Sequence, residues 1–168
     1  MSKSFKPRYG DILADPLVLQ QWLDTITQLI NQEPQPWTPQ LTFTTPGDLA
    51  VVYSTQLGYA WRLGNIVVAI GSLVTSTFTY TTAAGNNRIT GFPVAAKAGT
   101  GLVQVGTCLA DGWTKANYTQ AELGLSSGST IANLRLAGSG QPLFIATTAE
   151  MPSGTQQTRH FCMTYFTD

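Results

Sequence analysis

From Leu41 onward, short apolar runs alternate with turn signals, and this pattern limits the fold more than any other feature of the chain. The runs recur at roughly 8–12-residue spacing without long helical segments between them, which is typical of all-β sandwiches and barrels. The predicted strands cover residues 41–45, 49–54, 59–63, 65–74, 77–81, 88–91, 102–109, 113–118, 130–136, 143–147 and 158–166. We therefore expect a mainly β fold, an antiparallel β-sandwich or jelly-roll-like domain.

The segments between the runs have the residue types that turns require. Gly64-Asn65 is a dipeptide typical of tight hairpins, and residues 84–87 are predicted as a longer turn. Later in the chain, Ala132 and Leu134 alternate with polar residues, as expected for a strand with one buried face. The turns and the alternation both favour antiparallel pairing.

One short helix is predicted before the β region. Asp15-Pro16 fits an N-cap followed by proline at the first helical position, and apolar residues then recur at helical spacing to about residue 31. Prolines then predict an extended connector over residues 35–39. We divide the chain into residues 1–36, an arm, helix and connector, and residues 37–168, the β-sandwich domain.

The helix is too short to be stable alone and must pack on another surface. Leu19, Trp22, Ile26 and Leu29 fall at coiled-coil spacing, whereas Leu23 widens the apolar stripe toward a helix that lies on a globular surface. Two interpretations stay open: self-association of several copies, and docking on a larger partner or on the chain's own β domain.

The charge balance excludes several classes of partner. Nine basic and nine acidic residues give a net charge of zero, so the chain lacks the basic excess of a nucleic-acid binder. No run approaches the ~18 apolar residues of a membrane helix, and the first 15 residues lack a signal-peptide core. We expect synthesis in a reducing cytoplasm, no membrane insertion, and a polar surface supplied largely by the 24 threonines.

The charges are concentrated near the N-terminus. Residues 1–37 carry 7 of the 18 charged side chains, and the remaining 131 residues carry 11. The β region is therefore nearly charge-free, and such surfaces repel one another weakly.

The sequence offers little that could support catalysis or hold a cofactor. His160 is the single histidine and is predicted to share a strand face with Cys162. Cys108 and Cys162 lack the spacing of a zinc site, so we expect two buried free thiols, no metal and no cofactor.

The acidic residues and two aromatic residues of the β region are the remaining candidates for a site. Asp48 and Asp111 lie in turns where they would cap local backbone, and Glu122 and Glu150 are expected to be exposed loop charges. A hydrolytic carboxylate pair is therefore disfavoured, so we expect no enzymatic activity. The residues most suited to contact a glycan are Trp113 and Tyr118.

Several segments together resemble a known class of β domain. WTPQLTF (37–43), TPGDLAVVYS (45–54), FTYTTAAG (78–85) and ITGFP (89–93) are similar to the opening of a domain in tailed-bacteriophage virion proteins. The resemblance implies a β-sandwich knob of a homotrimeric tail fibre, receptor-binding protein or capsid decoration protein, located on the virion surface after synthesis in the bacterial host cytoplasm. It carries structural motifs and no functional residues.

The short N-terminal segment favours a compact decoration or cement protein over a long fibre, since a 16-residue helix spans only about 24 Å. Particle anchoring and oligomerisation would use Phe5 and Tyr9 together with the apolar stripe of the helix. The partners would be further copies in a homotrimer and other virion proteins such as capsid or tail. The alternative is a short tail-fibre or receptor-binding protein whose knob binds host-surface glycan, which a glycan array with the Trp113→Ala variant tests.

Overall fold

The structure, a computed structural model, describes residues 16–168 without the side chains of Leu29 and Ile30. The predicted roles of Phe5, Tyr9 and the Leu29 side chain lie outside this description. By its internal contacts the chain divides into residues 1–33 and 34–168, and each unit is described by itself. Residues 35–37, of which the first two fall in the predicted segment 1–36, form a strand of the sheet.

The predicted helix is confirmed as α1 (Pro16–Ile30). Proline at its first position costs no helical hydrogen bond, because the first amides of a helix have no partner within it. The Gln20 side chain donates to Asp24 Oδ1 one turn later at 2.8 Å, and the Asn31 amide donates to the Thr27 carbonyl at 2.9 Å.

The second unit is built from ten strands, all paired antiparallel. The strands are β1 (Gln35–Trp37), β2 (Gln40–Thr45), β3 (Ala50–Leu63), β4 (Ile66–Thr79), β5 (Ala84–Thr90), β6 (Val103–Asp111), β7 (Gln120–Ser126), β8 (Ala132–Gly138), β9 (Gln141–Ile145) and β10 (Thr158–Phe166).

The strands form one strongly curled sheet in the order β1-β3-β4-β10-β6-β7-β8-β5-β2, with β9 paired to β8 beside β5. The two edge strands, β1 and β2, are separated in the chain only by Thr38 and Pro39. The curling therefore brings the two ends of the sheet together around one core. The predicted antiparallel, sandwich-like β fold with an N-terminal helix is confirmed.

Several strand predictions were wrong in their limits. Predicted strands 49–54 and 59–63 are one strand, β3, in which register shifts near Val52 and Tyr53 interrupt the alternation. Residues 65–74 and 77–81 likewise join into β4. The predicted turn at 84–87 belongs to β5, and the predicted connector contains β1, where Pro36 is tolerated because β1 is an edge strand.

The predicted strand at 113–118 is an irregular loop, and the following strand β7 was missed. Asn117 has a φ of 66°, in the left-handed region that a strand cannot accommodate. The Trp113 Nε1 group donates to the Tyr118 carbonyl at 3.1 Å and closes the loop on itself. The segment is held by this bond and by single bonds to other segments, such as that from the Thr114 amide to the Glu150 carbonyl at 2.9 Å, rather than by strand pairing.

Two glycines allow aromatic rings to lie across neighbouring strands in the core. Gly58 pairs with Trp37 and Gly71, and Gly71 pairs with Phe161, so the four residues form one row across β1, β3, β4 and β10. A Cβ atom on Gly58 would lie 2.6 Å from Nε1 of the Trp37 ring. Trp37 and Phe161 both contact Phe92, with ring centroids 4.9 and 6.1 Å away. The space that a side chain would occupy at each glycine is therefore filled by an aromatic ring from an adjacent strand.

Arg159 is the largest fully buried side chain of the β unit. Its Nη1 donates to the carbonyls of Asp111 and Thr158, and its Nη2 donates to Gln157 Oε1 at 2.9 Å. Burial lowers the pKa of Arg159 to about 10 and raises the pKa of the nearby Cys108 thiol to about 11. At neutral pH the guanidinium therefore remains charged beside a neutral thiol, with carbonyl oxygens as its main acceptors.

Hydrogen bonds to Asp48 link the turn before β3 to the segment between β4 and β5. Its carboxylate accepts hydrogen bonds from both the amide and the hydroxyl of Thr81 and of Thr82, at 2.5 to 3.0 Å. These hydrogen bonds hold the pKa of Asp48 well below its usual value, and the bond from the Thr81 hydroxyl contributes the most. Asp48 was predicted to cap local backbone, but it instead links two segments more than 30 residues apart in the chain.

Candidate interaction surface

The side of the sheet opposite the core presents a continuous apolar surface over four adjacent strands. We call it the apolar face, and it consists of alternate residues of β3, β4, β10 and β6. Its members are Leu57, Tyr59, Trp61, Leu63, Ile66, Val68, Ile70, Ser72, His160, Cys162, Thr164, Phe166, Val103, Val105, Thr107 and Leu109. None of these side chains is an acid, a lysine or an arginine.

The register of the sheet brings these residues together in rows. One row runs Tyr59, Ile70, Cys162 and Thr107 from β3 to β6. The next row runs from Leu57 through Ser72 and His160 to Leu109. Because cross-strand neighbours lie about 5 Å apart, each row is a continuous contact surface.

The apolar face is large for a protein surface. Eight of its large apolar side chains expose between 39% and 72% of their area. Together they present on the order of 600–800 Å², since an aromatic side chain has roughly 150–250 Å² to expose and an aliphatic one somewhat less. The largest apolar patch of a typical monomer is about 300–600 Å², and larger patches usually mark interaction sites.

The apolar face ends where β7 and β8 begin. On the same side of the sheet, Thr107 pairs with Glu122 of β7, which pairs with Arg135 of β8. Beyond them, the Nε group of Arg88 on β5 donates to Asn133 Oδ1 at 3.2 Å. Charged side chains therefore border the apolar face on one side and are absent from its interior.

His160 and Cys162 both lie exposed on the apolar face. The prediction that they share a strand face is confirmed, whereas the prediction that Cys162 is buried is wrong, because its side of β10 faces away from the core. Cys108 is buried as predicted, and both thiols are free. His160 Nδ1 shares a hydrogen bond with Ser72 Oγ at 2.9 Å, and no acidic side chain among residues 16–168 is recorded as bonded to this pair.

A groove of about 840 Å³ lies along one margin of the apolar face. Leu109 and His160 line it from the face, and Trp113, Gln120 and Glu122 line it from the neighbouring loop and strand. An aromatic ring and polar groups therefore converge here on a cavity of ligand size.

The predicted glycan residues occupy different environments. Trp113 is half-buried in the groove, whereas Tyr118 is only 8% exposed and donates its hydroxyl to the Pro142 carbonyl at 3.0 Å. The Tyr118 ring also packs edge-on against Phe144, over which Lys115 Nζ lies at 3.8 Å. Tyr118 is thus a structural anchor of its loop, and glycan contact by Trp113 stays a prediction.

Two carboxylates are less exposed than predicted. Glu150 accepts from the amide and hydroxyl of Thr147 at 3.0 and 2.7 Å and pairs with Lys115 Nζ at 3.6 Å. Burial opposes its ionisation, but these hydrogen bonds and the Lys115 charge outweigh it and lower the pKa of Glu150. Glu122 is a half-buried strand residue rather than a loop charge. Asp111 caps the Gly112 amide at 2.7 Å, as predicted.

The helix residues predicted to anchor the chain are mostly accessible. Leu19, Trp22 and Leu23 are each about two-fifths exposed, whereas Ile26 is half-buried. Apolar side chains at this spacing form one stripe of the helix. The exposed side chains of Leu19, Trp22 and Leu23 therefore belong to one stripe of α1.

A sequence signal for the apolar face does exist. Residues 66–70 read Ile-Val-Val-Ala-Ile, without the alternation of a strand that has one solvent-facing side. Uninterrupted apolar runs are typical of strands covered on both faces. The run therefore indicates β4 as a strand whose second face also requires a cover.

Comparisons with known proteins identify no relative of this chain. No family model, no curated protein and no solved structure matches the chain. Within residues 16–168, no cluster of three or more His, Cys, Asp or Glu side chains could hold a metal ion, and no helix is long and apolar enough to cross a membrane. The likeness to tailed-bacteriophage virion proteins therefore stays a prediction from the sequence.

Proposed function

We propose that this chain is a non-enzymatic structural protein of a bacteriophage particle, a homotrimeric decoration or cement protein on the virion surface. The observation that carries the proposal is the apolar face, because an uncharged exposed surface of this size serves contact with other protein surfaces. The resemblance of residues 37–93 to virion β domains supplies the biological setting.

Attachment to the particle is assigned to residues 1–33, which hold 7 of the 18 charged residues of the chain and the apolar stripe of α1. The β unit does not need this segment for its core, since the buried core residues of the described chain all follow Trp37. The two tasks are therefore separable: the β unit forms the body, and the N-terminal segment holds it on the particle.

Deletion of residues 1–33 tests the assignment. The 34–168 fragment is expected to keep its β-sheet circular dichroism spectrum and to lose at least about tenfold in affinity for particles that lack the protein. Co-sedimentation of purified fragment and full-length chain with such particles measures the difference. Equal binding by the fragment, or absence of the full-length chain from mature particles, would contradict the proposal.

A further inference from the structure

Four strands of the sheet have apolar residues on both faces. In β4, Val67 and Ala69 are buried in the core, while Ile66 on the opposite side is 39% exposed. In β6, Leu109 is 72% exposed and is the most exposed large apolar residue of the β unit. A strand with two apolar faces is stable in water when both are covered, so the apolar face requires an occupant.

We propose that the occupant is another copy of this chain within the proposed homotrimer, so that the apolar faces of the copies pack against one another around a shared axis. The face lacks charged side chains, so its partner must also be uncharged at the contact, or charges would be buried unpaired. Another copy provides such a surface. Its net charge of zero also means that approaching copies repel one another little.

The size of the apolar face agrees with this occupant. A standard stable interface buries about 800 Å² on each partner, which matches the order of magnitude of the exposed apolar area. Two sheets pack face to face at about 10 Å, with side chains of the facing strands interdigitated. The long hairpin of β3 and β4 and the flanking strands β10 and β6 supply the side chains for such packing.

This inference rests on the self-association in the proposed function but is independent of attachment to a particle. Its test therefore requires only the purified full-length chain. Failure of particle binding with an intact oligomer would refute the assignment of residues 1–33, whereas a monomeric chain would refute the interface.

A charge placed in the apolar face tests the interface. Leu109→Glu is expected to raise the dissociation constant between copies at least about 100-fold, because facing copies would bury like charges. Leu143→Glu is the matched control, since Leu143 is 55% exposed on β9, outside the apolar face. Both substitutions are at exposed positions and should leave the fold of the monomer intact, which circular dichroism checks.

Sedimentation velocity over a concentration series measures the masses. The wild-type chain and Leu143→Glu are expected at a multiple of 18.0 kDa, and Leu109→Glu is expected at 18.0 kDa. Val105→Asp, on the same strand and face, should repeat the result if Leu109→Glu does not fold. A monomeric wild type, an oligomeric Leu109→Glu, or equal dissociation of Leu143→Glu would each overturn the interface.

Discussion

Replacement of Arg159 by alanine is expected to lower the free energy of unfolding by about 3–5 kcal/mol, a large share of the ~5–15 kcal/mol that typically stabilises a domain. Arg159 is fully buried, and its guanidinium donates to two backbone carbonyls and to Gln157. Alanine would leave these acceptors unpaired in the core and would also open a cavity. Urea unfolding at one fixed protein concentration measures the loss.

Arg159→Met separates the two contributions to this effect. Methionine fills most of the volume and removes the cost of burying a charge, although it donates no hydrogen bonds. We expect Arg159→Met to lose about 1–2 kcal/mol, clearly less than Arg159→Ala. Wild-type stability in both variants would contradict the claim that the buried hydrogen bonds of Arg159 stabilise the core.

Replacement of Gly71 by valine is expected to cost at least about 3 kcal/mol. A Cβ atom at this position would lie 2.8 Å from two carbons of the Phe161 ring and closer still to its Cζ. The ring is held in turn by Trp37 and Phe92, so it cannot move aside without disturbing the core. The thermal midpoint and the urea midpoint of the variant should both fall well below those of the wild type.

Gly99→Ala is the control for the Gly71 variant. Gly99 has a φ of 71°, but an added Cβ atom there would meet no neighbour within 4 Å. The control therefore carries only the backbone strain of a non-glycine residue, about 1 kcal/mol. A Gly71→Val loss no larger than that of Gly99→Ala would contradict the packing of Phe161 on Gly71.

The fold class and β10 could be predicted because their signals are local. Strand β10 alternates buried and exposed residues without interruption, and its predicted bounds match the structure. By contrast, β7 contains Glu122 and Gly124, residues that are rare in strands, and it is a strand because it pairs with β6 on one side and β8 on the other. Such pairing depends on residues distant in the chain.

The sequence indicates only one of the four strands that form the apolar face. The run at residues 66–70 indicates one strand with two apolar sides, but the neighbours of β4 are β3 and the last strand, β10. That crossover places Cys162 next to Ile70, across nearly 100 residues of sequence. The exposure of Cys162 therefore follows from the sheet order, which no local pattern specifies.

The reactivity of Cys162 tests most directly whether the apolar face joins copies of this chain. Cys162 is exposed on the face of the single chain, whereas Cys108 is buried with its pKa raised to about 11 and serves as the unreactive reference. Alkylation of Cys162 is expected to slow at least about tenfold as the protein concentration rises and copies associate. In the Leu109→Glu variant, alkylation of Cys162 should stay fast at every protein concentration. A Cys162 rate in the wild type that is fast and independent of concentration would contradict the account.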